Sequence, residues 1–213
     1  MNPSSFIMFY VFQDLLEKCD EQKPKRYLKE HEVLHMLHGI CAGLRELHTA
    51  NPPLAHRDIK PQNVLLESPS TASYRKSSGT ATSSCAKNVI IPDQCDFSSV
   101  LMDLGSVAAA RVTVKNSRDA QFLQDTAAER CTMSYRPPEL YLVPSVCEIT
   151  ERTDIWSLGC LLYAMMYLKG PFDTVFERGD SVALAIQNGI GNLPDLSKRF
   201  LLIFIFTEYL LMN

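Results

Sequence analysis

Residues 56–63, HRDIKPQN, constrain this chain more than any others. They crowd His56, Arg57, Asp58, Lys60 and Asn63 into one short loop that contains a proline, Pro61. An apolar run, VLL at 64–66, follows directly, and a second, SVLMD at 99–103, ends on Asp103. Short aliphatic, β-branched runs between polar residues read as strands. Paired across whatever separates them, the two make a hairpin that carries both polar loops.

What separates them is 67–98, rich in Ser and Thr and poor in large apolar groups. Such a segment cannot bury enough surface to fold alone, and it reads as a disordered insertion at the hairpin tip. Ahead of the loop, Val33, Leu34, Met36, Leu37, Ile40, Cys41, Leu44 and Leu47 recur at helical spacing, so 30–50 is an amphipathic helix with Cys41 on its buried stripe. The prolines at 52–53 stop it. A short polar helix fits 12–22, and 103–139 reads as a long irregular segment. Residues 153–170, TDIWSLGCLLYAMMYLKG, are apolar almost all round, as suits a helix buried on every side. A further short helix fits 180–189, and 191–213 form a hydrophobic tail too short to span a bilayer.

Composition narrows the function. A net charge of −3 invites neither a nucleic-acid backbone nor an anionic membrane surface. Seven cysteines, with no CxxC pair, argue against a disulfide framework or zinc ribbon and for a reducing compartment. There is no basic, apolar leader at the start, and residue 2 is Asn, so the Met-Gly start for myristoylation is not present. The expectation is a cytoplasmic chain with no transmembrane segment, membrane-bound only through some longer, lipidated form.

Asp58 and Asn63 lie five residues apart with Lys60 between them, a spacing that resembles the protein kinase catalytic loop, H-R-D-x-x-x-x-N. DLG at 103–105 is similar to the kinase metal loop, with Leu104 in the place of an apolar anchor. CTMSYRPPELY at 131–141 resembles the end of an activation segment, and TDIWSLG at 153–159 the helix beneath it. LMDLGS, LQDTAAERCTMSYRPPELY, ERTDIWSLGCLLYAMMYLKGPFD and GDSVALAIQN together are similar to the Numb-associated kinase family. Within it, the likeness is to the branch of lipid-anchored, Golgi-associated kinases of the serine/threonine kinase 16 type.

That resemblance implies ATP, Mg²⁺ and transfer of phosphate to protein Ser or Thr. Phosphoryl transfer asks for a proton acceptor, oxygens for the metal and positive charge on the moving phosphate. Asp58 would be the acceptor, Asn63 and Asp103 the Mg²⁺ ligands, and Lys60 the charge near the γ-phosphate. Thr132 would bond Asp58 and Lys60. His56, Arg57, Gly105, Glu139 and Asp154 would support them, Arg57 by steadying the activation segment and Asp154 by fastening the loop from beneath. The family also carries an extra helix in that segment, matched here by 117–131.

The implied fold is mainly α: a kinase C-terminal lobe, helical, with a short β-hairpin bearing the catalytic and metal loops, and with the N-lobe sheet absent. Residues 1–11 would hold a remnant of the hinge, 12–190 the lobe, with 67–98 as its insertion and 103–139 as its activation segment, and 191–213 a divergent tail. Only Gly39 and Gly43 precede His56, so no G-x-G-x-x-G loop is present, and Lys18, Lys23, Lys25 and Lys29 lie in polar surroundings rather than in a V-A-I-K strand. The expectation is a truncated transcript or a short isoform that transfers no phosphate by itself.

Two other classes compete. HEVLH at 31–35 fits the zinc-protease pattern H-E-x-x-H, with His31 and His35 as ligands and Glu32 as base. The glycine and third histidine of its extended form are not met; His38 and Cys41 stand there instead. More simply, His31, His35 and His38 line the polar side of the long helix. The second rival is a non-catalytic interaction module that keeps a docking surface around 170–188.

Overall fold

A computed structural model of the chain describes residues 8–68 and 97–189. The chain starts with strand β1, Met8–Val11, which passes straight into helix α1, Phe12–Glu21. Helix α2 covers Glu30–His48, closed at its start by a capping box in which the Glu32 carboxylate accepts from the Lys29 N–H at 2.7 Å. Strand β2, Leu54–Ala55, leads into the polar loop, and a 3-10 turn, Pro61–Asn63, delivers the chain to strand β3, Val64–Ser68.

Strand β4, Ser98–Leu101, lies antiparallel to β3 with Val64 opposite Leu101, and β1 pairs with the other edge of β3. The expected hairpin therefore supplies two strands of a three-stranded sheet, with β3 at its centre. The ends of 67–98 belong to the sheet: Glu67 and Ser68 continue β3, Ser98 opens β4, and Phe97 is only 2% exposed. Phe97 gains its cover from Tyr10 of β1, whose ring meets it edge-on at 6.1 Å. Residues 69–96 and the tail lie outside the described residues.

The segment 103–139 is less irregular than expected. It holds strand β5, Ala108–Ala109, paired with β2, strand β6, Val112–Val114, and helix α3, Ser117–Arg130, where the resemblance placed one. Asn116 caps α3 by accepting from the Arg118 and Asp119 N–H groups at 3.0 and 2.9 Å. Strand β7, Cys147–Ile149, pairs with β6 and precedes helix α4, Arg152–Tyr167. The short helices α5, Asp173–Glu177, and α6, Val182–Gln187, follow.

The main core joins α1, α2, α4 and the sheet. Phe12, Leu15, Met36, Ile40, Ile59, Leu161 and Met165 are fully buried there, each contributing about 1.5–3 kcal/mol of burial. Helix α4 is buried on every side, as its sequence requires. The stripe on α2 is narrower than the sequence suggested. Val33, Met36, Ile40 and Leu44 face the core, but Leu34 is 47% exposed and Cys41 stands in solvent. One 3.6-residue face buries about two positions per turn, and those two lie beyond its edge.

Gly39 decides how close β4 can come. A Cβ there would lie 2.5 Å from the Ser99 hydroxyl oxygen and 2.6 Å from its carbonyl oxygen. The Ser99 hydroxyl also donates to the Met36 carbonyl. Helix α2 thus grips the strand that leads to Asp103.

Candidate active site

Asp58 is the centre of the site and is 7% exposed. Its Oδ1 accepts from the Thr132 backbone N–H at 2.9 Å and from the Thr132 hydroxyl at 2.7 Å. Its Oδ2 meets Lys60 Nζ at 2.7 Å and the Asn63 amide nitrogen at 3.0 Å. Lys60 also donates to the Thr132 hydroxyl at 2.7 Å, closing a triangle of acid, ammonium and hydroxyl. Burial pushes the Asp58 carboxyl up, but the hydrogen bonds from Lys60 and Thr132 outweigh it and hold the group below its usual value.

The loop that presents Asp58 is strained. Arg57 has φ 69°, a left-handed conformation that costs a non-glycine residue about 1–3 kcal/mol. Asp154, fully buried on the first turn of α4, holds it there: its carboxylate accepts from the His56 and Arg57 backbone N–H groups at 2.7 and 2.8 Å. His48, at the end of α2, adds a third contact through Nε2 at 2.8 Å. Sequence reasoning assigned Asp154 its part and missed His48, which reads simply as the last residue of an amphipathic helix.

Arg57 reaches the segment after Asp103 through backbone carbonyls. Its guanidinium donates to Ala109 and Ala110 at 3.0 and 3.2 Å and to the Thr153 hydroxyl at 3.0 Å. Burial lowers its pKa, opposed by the charge of Asp154. His56 turns its ring to the Met102 carbonyl at 3.1 Å, beside the second loop. Glu139 is half-buried, and burial raises its carboxyl pKa against the pull of Arg57.

The β3–β4 register carries the chain that leads to Asp103 past Asn63. The Met102 N–H donates to the Asn63 carbonyl at 2.9 Å, which sets Asp103 one residue beyond Asn63's partner. Asn63 spends its amide nitrogen on Asp58, at the side chain and again at the carbonyl, 2.8 Å away. The amide oxygen is thus the atom that remains for a cation. Asp103 is exposed, at φ 63°, and accepts one bond, from the Gly105 N–H at 3.3 Å. An amide oxygen and a carboxylate suit Mg²⁺, a hard ion that takes few protein ligands and completes its shell with phosphate oxygens and water. Leu104 does not make the expected anchor; it opens a 3-10 turn, Leu104–Ser106, and is 61% exposed.

The same residues leave little for the protease reading. His31 and His35 are exposed while Glu32 points inward, fully buried and bonded to the Lys29 N–H, with Arg26 3.5 Å away. A base turned away from both histidines cannot act on a metal they hold.

The protein kinase domain model matches residues 2–189, most of the chain. The chain belongs to the protein kinase family. Human serine/threonine-protein kinase 16 is 48% identical over 181 residues, covering 84% of this chain and 50% of that protein. The rat protein of the same name is 47% identical over 164 residues, covering 77% and 44%. A probable serine/threonine-protein kinase of Dictyostelium discoideum is 34% identical, covering 84% and 58%. A chain in the crystal structure of the yeast RNA Pol II CTD kinase CTDK-1 complex matches at 20% identity with a TM-score of 0.46, covering 76% of this chain and 38% of that one. This kinase-family chain therefore spans about half the length of the curated relatives it matches.

Proposed function

We propose that this chain carries the catalytic and metal loops of a serine/threonine kinase that moves the γ-phosphoryl group of ATP onto a protein hydroxyl. The observation that carries the reading is the closed triangle of Asp58, Lys60 and Thr132 beside Asn63. An incoming Ser or Thr hydroxyl would replace one donor at the Asp58 carboxylate and lose its proton there. Its oxygen would bond the γ-phosphorus as the bond to the β–γ bridging oxygen breaks. Lys60, 2.7 Å from both partners, is placed to meet the charge that develops. Bound at Asn63 and Asp103, Mg²⁺ would neutralise the phosphate oxygens.

The finer part of the proposal is that the chain is the C-terminal lobe, and that alone it transfers no phosphate. The support is in its sequence: neither a glycine-rich loop nor a lysine in an apolar strand stands ahead of His56. A cytoplasmic setting belongs to the same proposal, consistent with Cys19, Cys41, Cys131, Cys147 and Cys160 as free thiols. Among the described residues, no helix is long and apolar enough to cross a membrane.

Paramagnetic broadening tests the site without needing turnover. Mn²⁺ with ATP should broaden amide signals around Asn63 and Asp103 first, and Asp103→Asn should remove the effect. Uniform broadening, or broadening indifferent to the substitution, would sink the reading. Phosphate transfer by the chain that Asp103→Asn abolishes would overturn its inactivity alone.

A further inference from the structure

Helix α2 turns three imidazoles to solvent. His31, His35 and His38 are all exposed, while Val33, Met36 and Ile40 face the core. At about 3.6 residues per turn, the three fall within an arc of about 60°, at the middle of the solvent face. Among the described residues, none of the three rings takes part in a hydrogen bond or an ion pair. His48 and His56 differ, the first bonded to Asp154 and the second to the Met102 carbonyl.

His31 and His35 stand one turn apart. Side chains at i and i+4 lie about 5–6 Å apart at Cβ, close enough for two imidazoles to converge on one ion about 2.0–2.1 Å from each nitrogen. The same spacing sets the two histidine ligands of an H-E-x-x-H helix. The inward turn of Glu32 removes the base of that motif and leaves the pair untouched. His38 lies two turns beyond His31, a rise of about 10 Å, too far to share its ion. Accordingly, among the described residues no three ligating side chains converge on one point. The chain offers a pair, and the rest of the metal's shell falls to water.

The frame beneath the pair is stiff. The capping box of Lys29 and Glu32 fixes the first turn, and Val33 and Met36 anchor the next in the core. A site on such a helix needs little reordering to receive an ion. Imidazole nitrogens suit Zn²⁺, Ni²⁺ and Cu²⁺, whereas Mg²⁺ takes oxygens. The pair and the loops of Asn63 and Asp103 therefore select different metals.

We propose that His31 and His35 form a chelate for a divalent transition metal, which staples the first turns of α2. That helix holds β4 through the close approach of Gly39 to Ser99, so the ion steadies the joint between helix and sheet. The inference uses no residue of the candidate active site and stands apart from phosphoryl transfer.

The test is a Zn²⁺ titration of the full chain, followed by NMR at the histidine ring protons. The chain has five histidines, so substitution assigns each signal. The His31 and His35 signals should move together along one binding curve, while those of His48 and His56 stay in place. Either His31→Gln or His35→Gln should weaken binding about tenfold or more, since losing even an outer-shell partner costs about 10–100-fold. Both positions are exposed, so the variants should keep the wild-type melting curve. Amide exchange over 31–38 should slow with Zn²⁺ in the wild type and in neither variant. His38→Gln should cost far less, Asp103→Asn should leave the titration unchanged, and Mg²⁺ should not compete. Unmoved signals, binding indifferent to both substitutions, or histidine shifts lost with Asp103→Asn would overturn the proposal. So would an equal loss with His38→Gln, or a dependence on the exposed thiol of Cys41 shown by Cys41→Ser.

Discussion

The loop around Asp58 and the loop around Asp103 sit at the same end of one hairpin and are built in opposite ways. Among the described residues, the Asp58 carboxylate is met by Thr132, just past α3, and by Lys60 and Asn63 from the loop itself. Beneath it, Asp154 accepts from two backbone donors and contacts His48. The Asp103 carboxylate is exposed and holds one long bond to Gly105, and the neighbouring Leu104 is bare. The Asp58 half of the site is held in place by the fold. The Asp103 half leaves its carboxylate open to solvent, on a backbone in the left-handed region.

The same substitution at two aspartates should separate these halves most clearly. Asp154→Asn leaves one accepting oxygen where two serve the His56 and Arg57 N–H groups, and sets an amide donor against one of them. A buried donor left unpaired costs about 1–3 kcal/mol, and the strain at Arg57 then loses its restraint. Urea denaturation should show a loss of about 2–4 kcal/mol. Asp103→Asn, exposed and tolerant of the left-handed region, should shift stability by less than about 0.5 kcal/mol. Equal losses at the two positions would break the comparison.

A smaller effect should follow when the joint between helix and hairpin is disturbed. Gly39→Ala forces a methyl against the Ser99 hydroxyl and its backbone carbonyl. The carbonyl cannot swing aside as a long side chain would, so β4 must back away from α2. Overpacking of this sort costs about 1–3 kcal/mol. Because β4 delivers Asp103, the change should also weaken Mn²⁺–ATP broadening, while Gly43→Ala, whose nearest neighbour is the Leu101 Cβ at 3.7 Å, should do neither. Matching melting curves for the two variants would remove Gly39 from this role.

Asp58, Lys60, Asn63 and Asp154 were legible in the sequence because their chemistry is local: a charged loop of fixed spacing before a strand, and an acid at the head of an apolar helix. The convergence of Asp58 and Lys60 on Thr132 needed the family resemblance, since nothing in the composition of residues 104–131 says that its far end folds back. Three readings of burial failed. Phe97 was taken into the polar insertion but is buried, whereas Cys41, taken onto the buried stripe, and Leu104, taken as an anchor, are exposed. Phe97 is covered by Tyr10, 87 positions earlier, so its burial could not be read from the serines around it. Helical periodicity places Cys41 near the core face without saying how wide that face is. His48 carried no signal, because its partner is the carboxylate of Asp154, 106 residues away.

The two carboxylates with opposite shifts offer the finest test of the difference between supported and unsupported groups. Asp58 is held below its ordinary value of 3.8, so the folded state binds fewer protons there than the unfolded chain does. Its contribution to stability is complete above that value and is lost as the pH falls through the lower folded one. Glu139 is raised above 4.5 by burial, and the folded state binds more protons there. Its carboxylate therefore weakens the fold once the pH rises past its folded value, and that penalty disappears as the pH falls towards 4.5. Glu139→Gln should raise stability modestly at pH 7, with the gain shrinking on acidification, whereas Asp58→Asn should lower it at pH 7, with the loss shrinking only below about pH 4. Denaturant midpoints measured from pH 3 to 8 on both variants check the two signs. A loss at neutral pH for Glu139→Gln would mean that this carboxylate has a partner strong enough to repay its burial, and the contrast with Asp58 would fail there.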